Sequence, residues 1–133
     1  MLDILDMGAS GLQAQRVRMD TIAQNILNVK TTRNAAGQKI PYQRRIAVFS
    51  PGQAGDPARP GVHAKVLLDN SPPVLEYKPT HPDADARGYV KYPNVDLAIE
   101  YVNALEASRA YEATVTMMDV TKSMMNSTLR LIA

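Results

Sequence analysis

All nine prolines of this chain fall between Pro41 and Pro93, and five of its seven glycines fall between Gly37 and Gly88. Proline removes a backbone donor and clashes with the preceding helical turn, while glycine adds backbone entropy that a helix must suppress. Two proline-free ends therefore flank a broken middle, which predicts helix, irregular insertion, helix. The 133 residues suffice for about one domain, since domains run ~100–200 residues. The expected fold is mainly α: two long terminal helices packed as a coiled-coil-like pair, with a small β-hairpin or irregular domain between them. The expected boundaries are 1–32 for the N-terminal helix, 33–93 for the insertion and 94–133 for the C-terminal helix.

In the first segment Leu5, Leu12, Met19 and Ile26 recur every seven residues, with Ile22 and Val29 on the adjoining stripe. Such spacing puts the side chains on one helix face. Gly8 and Gly11 weaken the early turns but let another backbone come close. In the last segment Leu97, Ala104, Tyr111, Met118, Met125 and Ile132 form an unbroken seven-residue series, and Tyr101, Val115 and Leu129 sit four residues after three of them. Asn94 is the expected N-cap, with Asp96 and Glu100 placed to complement the helix dipole. A helix over 95–131 is ~55 Å long at ~1.5 Å per residue, too long for the rest of this chain to cover. Burial against other molecules is the expected remedy, with the two stripes as the subunit-packing surface. In dilute solution residues 1–30 and the C-terminal half of the last helix are expected to be largely unfolded, and the middle more ordered.

The middle offers partial strand alternation at 42–49 and 62–68, a loop over 51–61, and short extended pieces at 74–77 and 89–92. Catalytic chemistry is hard to place in it. The chain has no cysteine, which excludes disulfides, thiolate metal sites and a cysteine nucleophile. Two histidines, His63 and His81, are the only imidazoles; a metal trio of His81, Asp83 and Asp85 is conceivable, but a turn with Asp side chains capping backbone amides is the better reading. The paired methionines at 117–118 and 124–125 point ~100° apart within each pair, which suits adaptable packing on two faces rather than a thioether metal site. Fifteen Lys/Arg against thirteen Asp/Glu leave a net charge of +2 without a basic run longer than Arg44-Arg45, so nucleic-acid binding is not expected. No cofactor, no metal, no small-molecule substrate and no enzymatic activity are expected. The apolar fraction of 45% excludes wholesale disorder. The N-terminus opens on Asp3 and Asp6 and lacks the apolar stretch of a cleavable secretory signal.

Three motifs carry a resemblance. Ser10-Gly11-Leu12-x-Ala14-Gln15 followed by Ile22-Ala23-x-Asn25-Ile26-x-Asn28-Val29-x-Thr31-Thr32 resembles the N-terminal signature of bacterial flagellar rod and hook axial proteins. Glu106-Ala107-Ser108-Arg109-Ala110-Tyr111-Glu112-Ala113 resembles the C-terminal signature of the same family. His81-Pro82-Asp83-Ala84-Asp85-x-x-Gly88-Tyr89-Val90-x-Tyr92-Pro93-Asn94-Val95 is similar to a segment typical of its proximal rod members, and the short middle agrees with that placement. Leu27 stands where the family more often has a small residue, and Thr114 where it often has Asn.

The resemblance implies a structural subunit of the flagellar basal-body rod, a hollow helical drive shaft that passes torque from motor ring to hook. It implies terminal helices that pack with those of neighbours around an export channel, and entry to the periplasm through type III export without a cleaved signal. The implied partners are further copies of the chain, the proximal rod proteins FlgB and FliE, the distal rod proteins FlgF and FlgG, and the motor's MS ring. The alternative is a discrete coiled-coil adaptor, a closed oligomer whose middle hairpin binds a partner.

Overall fold

The computed structural model describes residues 2–133 and resolves the expected plan into two helices and two hairpins. Helix α1 runs Leu2–Leu27. The last carbonyls of a helix lack intrahelical donors, and here Asn28 supplies one: its Nδ2 donates to the Gln24 carbonyl at 2.8 Å, while its Oδ1 accepts from the Thr31 hydroxyl at 3.1 Å. Val29 therefore lies in the turn beyond the helix rather than on it.

Helix α2 runs Leu97–Ile132, 36 residues, or ~54 Å at ~1.5 Å per residue. Its N-cap is Asp96, not the expected Asn94. The amide of Val95 turns back onto the Pro93 carbonyl at 2.9 Å, so the chain is still turning at residue 94. The Asp96 carboxylate then accepts from the amides of Ala98 and Ile99. This residue was expected only to complement the dipole; it also closes the helix start.

The helices pack antiparallel. A Cβ added at Gly8 would lie 2.7 Å from Met118 Cγ, and one at Gly11 3.8 Å from the Thr114 methyl. Further along, Arg18 pairs with Glu106 at 3.0 Å and Asn25 reaches Glu100. Position numbers across the seam thus sum to about 125, which sets Leu2 opposite the neighbourhood of residue 123. Residues 124–132 overhang the start of α1 by ~13 Å at ~1.5 Å per residue.

Strand β1 (Arg45–Pro51) pairs antiparallel with β2 (Val62–Leu68), Arg45 opposite Leu68 and Pro51 opposite Val62. The strand starts three residues later than its alternation predicts, because the Tyr42 amide is taken by the Thr31 carbonyl at 3.0 Å. Strand β3 (Val74–Tyr77) pairs with β4 (Tyr89–Tyr92), Tyr77 opposite Tyr89, and the two rings meet edge-on at 5.4 Å. The first hairpin lies against α1; α2 touches α1 but neither hairpin's strands. Gly61 makes the hairpin's approach to α1 possible. Its φ is +151°, and any Cβ there would strike the Ser10 hydroxyl at 2.7 Å.

The apolar core is thin and divided. Ala14, Ile22 and Ala107 fill the helix seam, while Val90 and Tyr92 form the buried face of β4 in the second hairpin.

Candidate assembly interface

Three side chains from three segments meet at one end of the helix pair. Glu100, in the first turn of α2, is 1% exposed. Arg44, just ahead of β1, donates Nε to Glu100 Oε1 at 2.7 Å and brings Nη2 to the same oxygen at 2.6 Å. Asn25, in the last turns of α1, donates Nδ2 to the Arg45 carbonyl at 2.8 Å, accepts the Arg45 amide on Oδ1 at 2.9 Å, and lies 3.4 Å from Glu100 Oε2. The Tyr42 hydroxyl also donates to Asn25 Oδ1, and burial holds its pKa above the ordinary phenol value. On the far side Arg44 reaches Asp69 at 3.4 Å. The hydroxyl and amide of Ser71 hold that carboxyl below its usual range. A buried carboxylate is tolerated only with such partners. Among the described residues, Arg44–Glu100 is the one ion pair joining the first hairpin to α2.

A second cluster pins the turn before β4. Asp83 accepts from Thr32 Oγ1 and Arg33 Nε, each at 2.6 Å, and the guanidinium holds its carboxyl below the usual range. Asp85 accepts the amides of Arg87 and Tyr89 at 2.8 and 2.9 Å, and its pKa is lowered chiefly by the Tyr89 amide. His81 Nδ1 accepts the Asp83 amide. The two carboxylates of the conceivable metal trio are thus committed to different partners, Asp85 as the amide cap expected of it and Asp83 as an ion pair that sequence spacing did not suggest.

The seven-residue series separates into two kinds of position. Ala104, Tyr111, Met118 and Met125 are half-buried, as are Leu5, Leu12, Met19 and Ile26 of α1, and Ile22 is fully buried. The companion series on the seam lies three residues after the first, not four: Glu100, Ala107, Thr114 and Thr121. The close approach at Gly11 seats Thr114, while Val115 beside it and Tyr101, opposite residue 24, turn outward. Those two, with Leu129 and the end positions Leu97 and Ile132, stay exposed.

Outside the seam α2 keeps large apolar side chains in solvent, among them Tyr101, Val102, Leu105, Val120, Met124 and Leu131, all more than half exposed. Leu27, the residue that departs from the family pattern, is 81% exposed at the end of α1. Among the described residues no helix is long and apolar enough to cross a membrane.

The motif residues of α1 serve the seam and the hairpin together. The Ser10 hydroxyl donates to the Met7 carbonyl at 2.7 Å and accepts the Val62 amide at 3.1 Å, docking β2 on the helix. Gly11 faces Thr114, and Ala14 is buried. Gln15 is half-buried, its Oε1 without a hydrogen-bond partner among the described residues. Of the α2 motif, Ser108 and Tyr111 are half-buried, while Arg109 and Glu112 face outward.

Two family models match the two ends. The one described as flagella basal body rod protein matches residues 5–33, and the one described as the C-terminal part of flagellar basal body rod FlgEFG proteins matches residues 86–131. The chain is 42% identical to the flagellar basal-body rod protein FlgC of Escherichia coli O6:H1, over 98% of this chain and 97% of that one. The chain belongs to the FlgC family of flagellar basal-body rod proteins. The likeness extends to the FlgC of Bacillus subtilis, 38% identical over 96% of this chain and 95% of its relative, and of Aquifex aeolicus, 35% over 96% of each. The first family model spans α1 and the turn that closes it, and the second spans β4 and α2. Of the buried node, Asn25 and Glu100 fall within the matched ends, while Arg44 falls in the segment between them.

Proposed function

We infer that this chain, a structural subunit of the flagellar basal-body rod and not an enzyme, polymerises through its terminal helices into a hollow shaft that carries torque from motor ring to hook. One observation carries the reading: α2 seats one of its faces on its own partner helix and leaves further large apolar residues turned outward. Val102, Leu105, Val120 and Met124 are 66%, 54%, 55% and 65% exposed. Buried apolar surface contributes ~25 cal/mol per Å², so two exposed patches of this kind, one at Val102 and Leu105 and one at Val120 and Met124, favour association. Because the patches lie on a helix that overhangs its own partner, a neighbouring subunit displaced along the axis meets fresh surface. Head-to-tail contacts that do not close build helical polymers.

The family places the chain among other rod components and further copies of itself. The finer partners follow from the rod's order: FlgB and FliE beside it, FlgF and FlgG beyond it, and the MS ring beneath. A periplasmic position, reached by type III export without a cleaved signal, belongs to the same reading. A thin core divided between two sites suits a chain that is threaded unfolded and completed on assembly.

Leu105→Asp and Met124→Asp test it. Each places a carboxylate on an outward patch without touching the seam, and burying an unpaired carboxylate costs several kcal/mol. The expected result is a folded, exported protein and no rods in electron micrographs of isolated basal bodies. Swimming cells with normal rods overturn the reading. A wild-type chain that stops at one small closed oligomer at every concentration, alone and beside rod partners, favours the discrete adaptor instead.

A further inference from the structure

At its Gly8–Gly11 end the helix seam is nearly indifferent to a slip of seven residues. Advancing α2 by one heptad replaces Met118 with Met125 over Gly8, and Thr114 with Thr121 over Gly11. The side chains exchanged are identical in kind, so packing there does not distinguish the two alignments. Among the described residues the one exposed ion pair across the seam, Arg18–Glu106, contributes little, since surface pairs are worth ~0–1 kcal/mol. What does distinguish them sits at the far end. The slip carries Glu100 away from Asn25 and Arg44 and brings Ala107 in its place; it also sets Thr114 where Ala107 is buried and Tyr111 where Ala104 is half-buried.

We propose that the Arg44–Glu100 pair, seated by Asn25, is a register lock that selects the observed alignment of α1 and α2 over the one a heptad along. Asn25 clamps the backbone of Arg45 to α1 through two hydrogen bonds, at 2.8 and 2.9 Å. Arg44 is thereby held at a fixed height on α1, and its guanidinium accepts only one position of the Glu100 carboxylate. Buried polar partners are a known means of specifying helix register; here the slip carries Glu100 beyond the end of α1 and leaves Arg44 with the Asp69 carboxylate, 3.4 Å away, in place of two carboxylates. The lock also decides which part of α2 is left bare. In the observed register residues 124–132 overhang; in the slipped one 97–104 would be stripped instead. The proposal concerns one chain's fold and stands apart from whether that chain polymerises.

The chain has no cysteine, so engineered disulfides report register cleanly. Full-length protein carrying Gly11→Cys with Thr114→Cys reads the observed alignment, and Gly11→Cys with Thr121→Cys reads the slipped one. Intramolecular closure is followed by gel mobility at low concentration. On the wild-type background only the first pair is expected to close. With Glu100→Leu and Arg44→Leu together, closure of the second pair should rise about tenfold relative to the first, as expected when a polar specificity element is replaced by apolar packing. With Glu100→Leu and Ala107→Glu, which moves the carboxylate one heptad, the second pair should dominate. Arg18→Ala should leave the wild-type ratio unchanged. An unaltered ratio in either lock variant overturns the proposal, and so does an equal shift in Arg18→Ala. Loss of helical circular dichroism in both lock variants also overturns it, because a lock that only selects between alignments leaves a folded pair behind.

Discussion

The two ends of the helix pair obey the same seven-residue pattern and have little else in common. At one end residues 14–27 face residues 97–111, and Ala14, Thr21, Ile22, Asn25, Glu100 and Ala107 are all buried. Helix, helix and hairpin are tied there by hydrogen bonds and an ion pair. At the other end residues 2–11 face 114–123, Gly8 is the one fully buried position among those residues, and α2 then runs on alone. This distal half of α2 is also the weaker helix on intrinsic grounds. Thr114, Thr116, Thr121, Ser123, Ser127 and Thr128 each turn a hydroxyl back to the carbonyl four residues earlier, at 2.8 to 3.0 Å. Such side chains compete with regular helix and lower its propensity. Periodicity alone therefore says where a helix can form, and the partners of its seam say whether it stands by itself.

The sharpest way to break the comparison is Arg44→Ala. Removing one partner of a buried pair leaves the Glu100 carboxylate uncompensated, at a cost of about 3–5 kcal/mol. A loss below about 1 kcal/mol in denaturant titration would mean that the bonded end owes nothing to its ions. Next comes a matched pair of truncations. Ile22→Ala should cost about 2–4 kcal/mol in the free chain, while Met124→Ala should cost almost nothing there, because only the first side chain is buried. Equal costs would erase the distinction between the ends.

Amide exchange on the dilute chain draws the boundary directly. Protection is expected along 14–27 and 97–111, and little along 2–11 and 115–132. This narrows the expectation drawn from sequence, in which all of residues 1–30 are loose. Uniform protection of both helices at low concentration would show that the overhanging end needs no partner.

The smallest expected effect is acid loosening of the second hairpin. Asp83 and Asp85 have folded pKa values depressed below the ordinary carboxylate range, chiefly by Arg33 and by the Tyr89 amide. A depressed folded value means that the stabilisation is fully present above the unfolded pKa of ~4 and is lost as pH falls through the lower, folded value. Near-ultraviolet circular dichroism of the tyrosines around β4 should therefore change below pH ~4, before the helical signal does. Asp83→Asn should remove the Arg33 part of that dependence. A tyrosine signal that tracks the helical one throughout would tie the second hairpin to the helix pair after all.

Helix, insertion and helix were legible because proline and glycine mark their own positions, and the strand pieces because alternation survives in short runs. The node was less legible. Asn25 stood out through its motif, yet Glu100 read as a dipole residue of the first helical turn, and Arg44 as half of a basic pair. The signal that finds Glu100 is positional: it heads the series continued by Ala107, Thr114 and Thr121, where small residues otherwise stand. Choosing that series over Tyr101, Val115 and Leu129 required knowing which face of α2 meets α1, which is tertiary information. Asp96 was displaced as a cap by Asn94 for a similar reason, since the tight turn after Pro93 does not show in residue types alone.

The back-bonded hydroxyls of distal α2 have another effect, on water. By composition the stretch from Thr114 to Thr128 is about half polar and would be expected to hold a well-ordered hydration layer. Its Ser and Thr donors, however, are already spent on the helix's own carbonyls, so in the shallow groove lined by Thr116, Val120, Met124 and Thr128 the Asp119 carboxylate is the one charged group that still asks for a partner. A second helix laid in that groove displaces loosely held water and leaves no hydroxyl donor stranded. In wetting terms the strip is drier than its sequence reads.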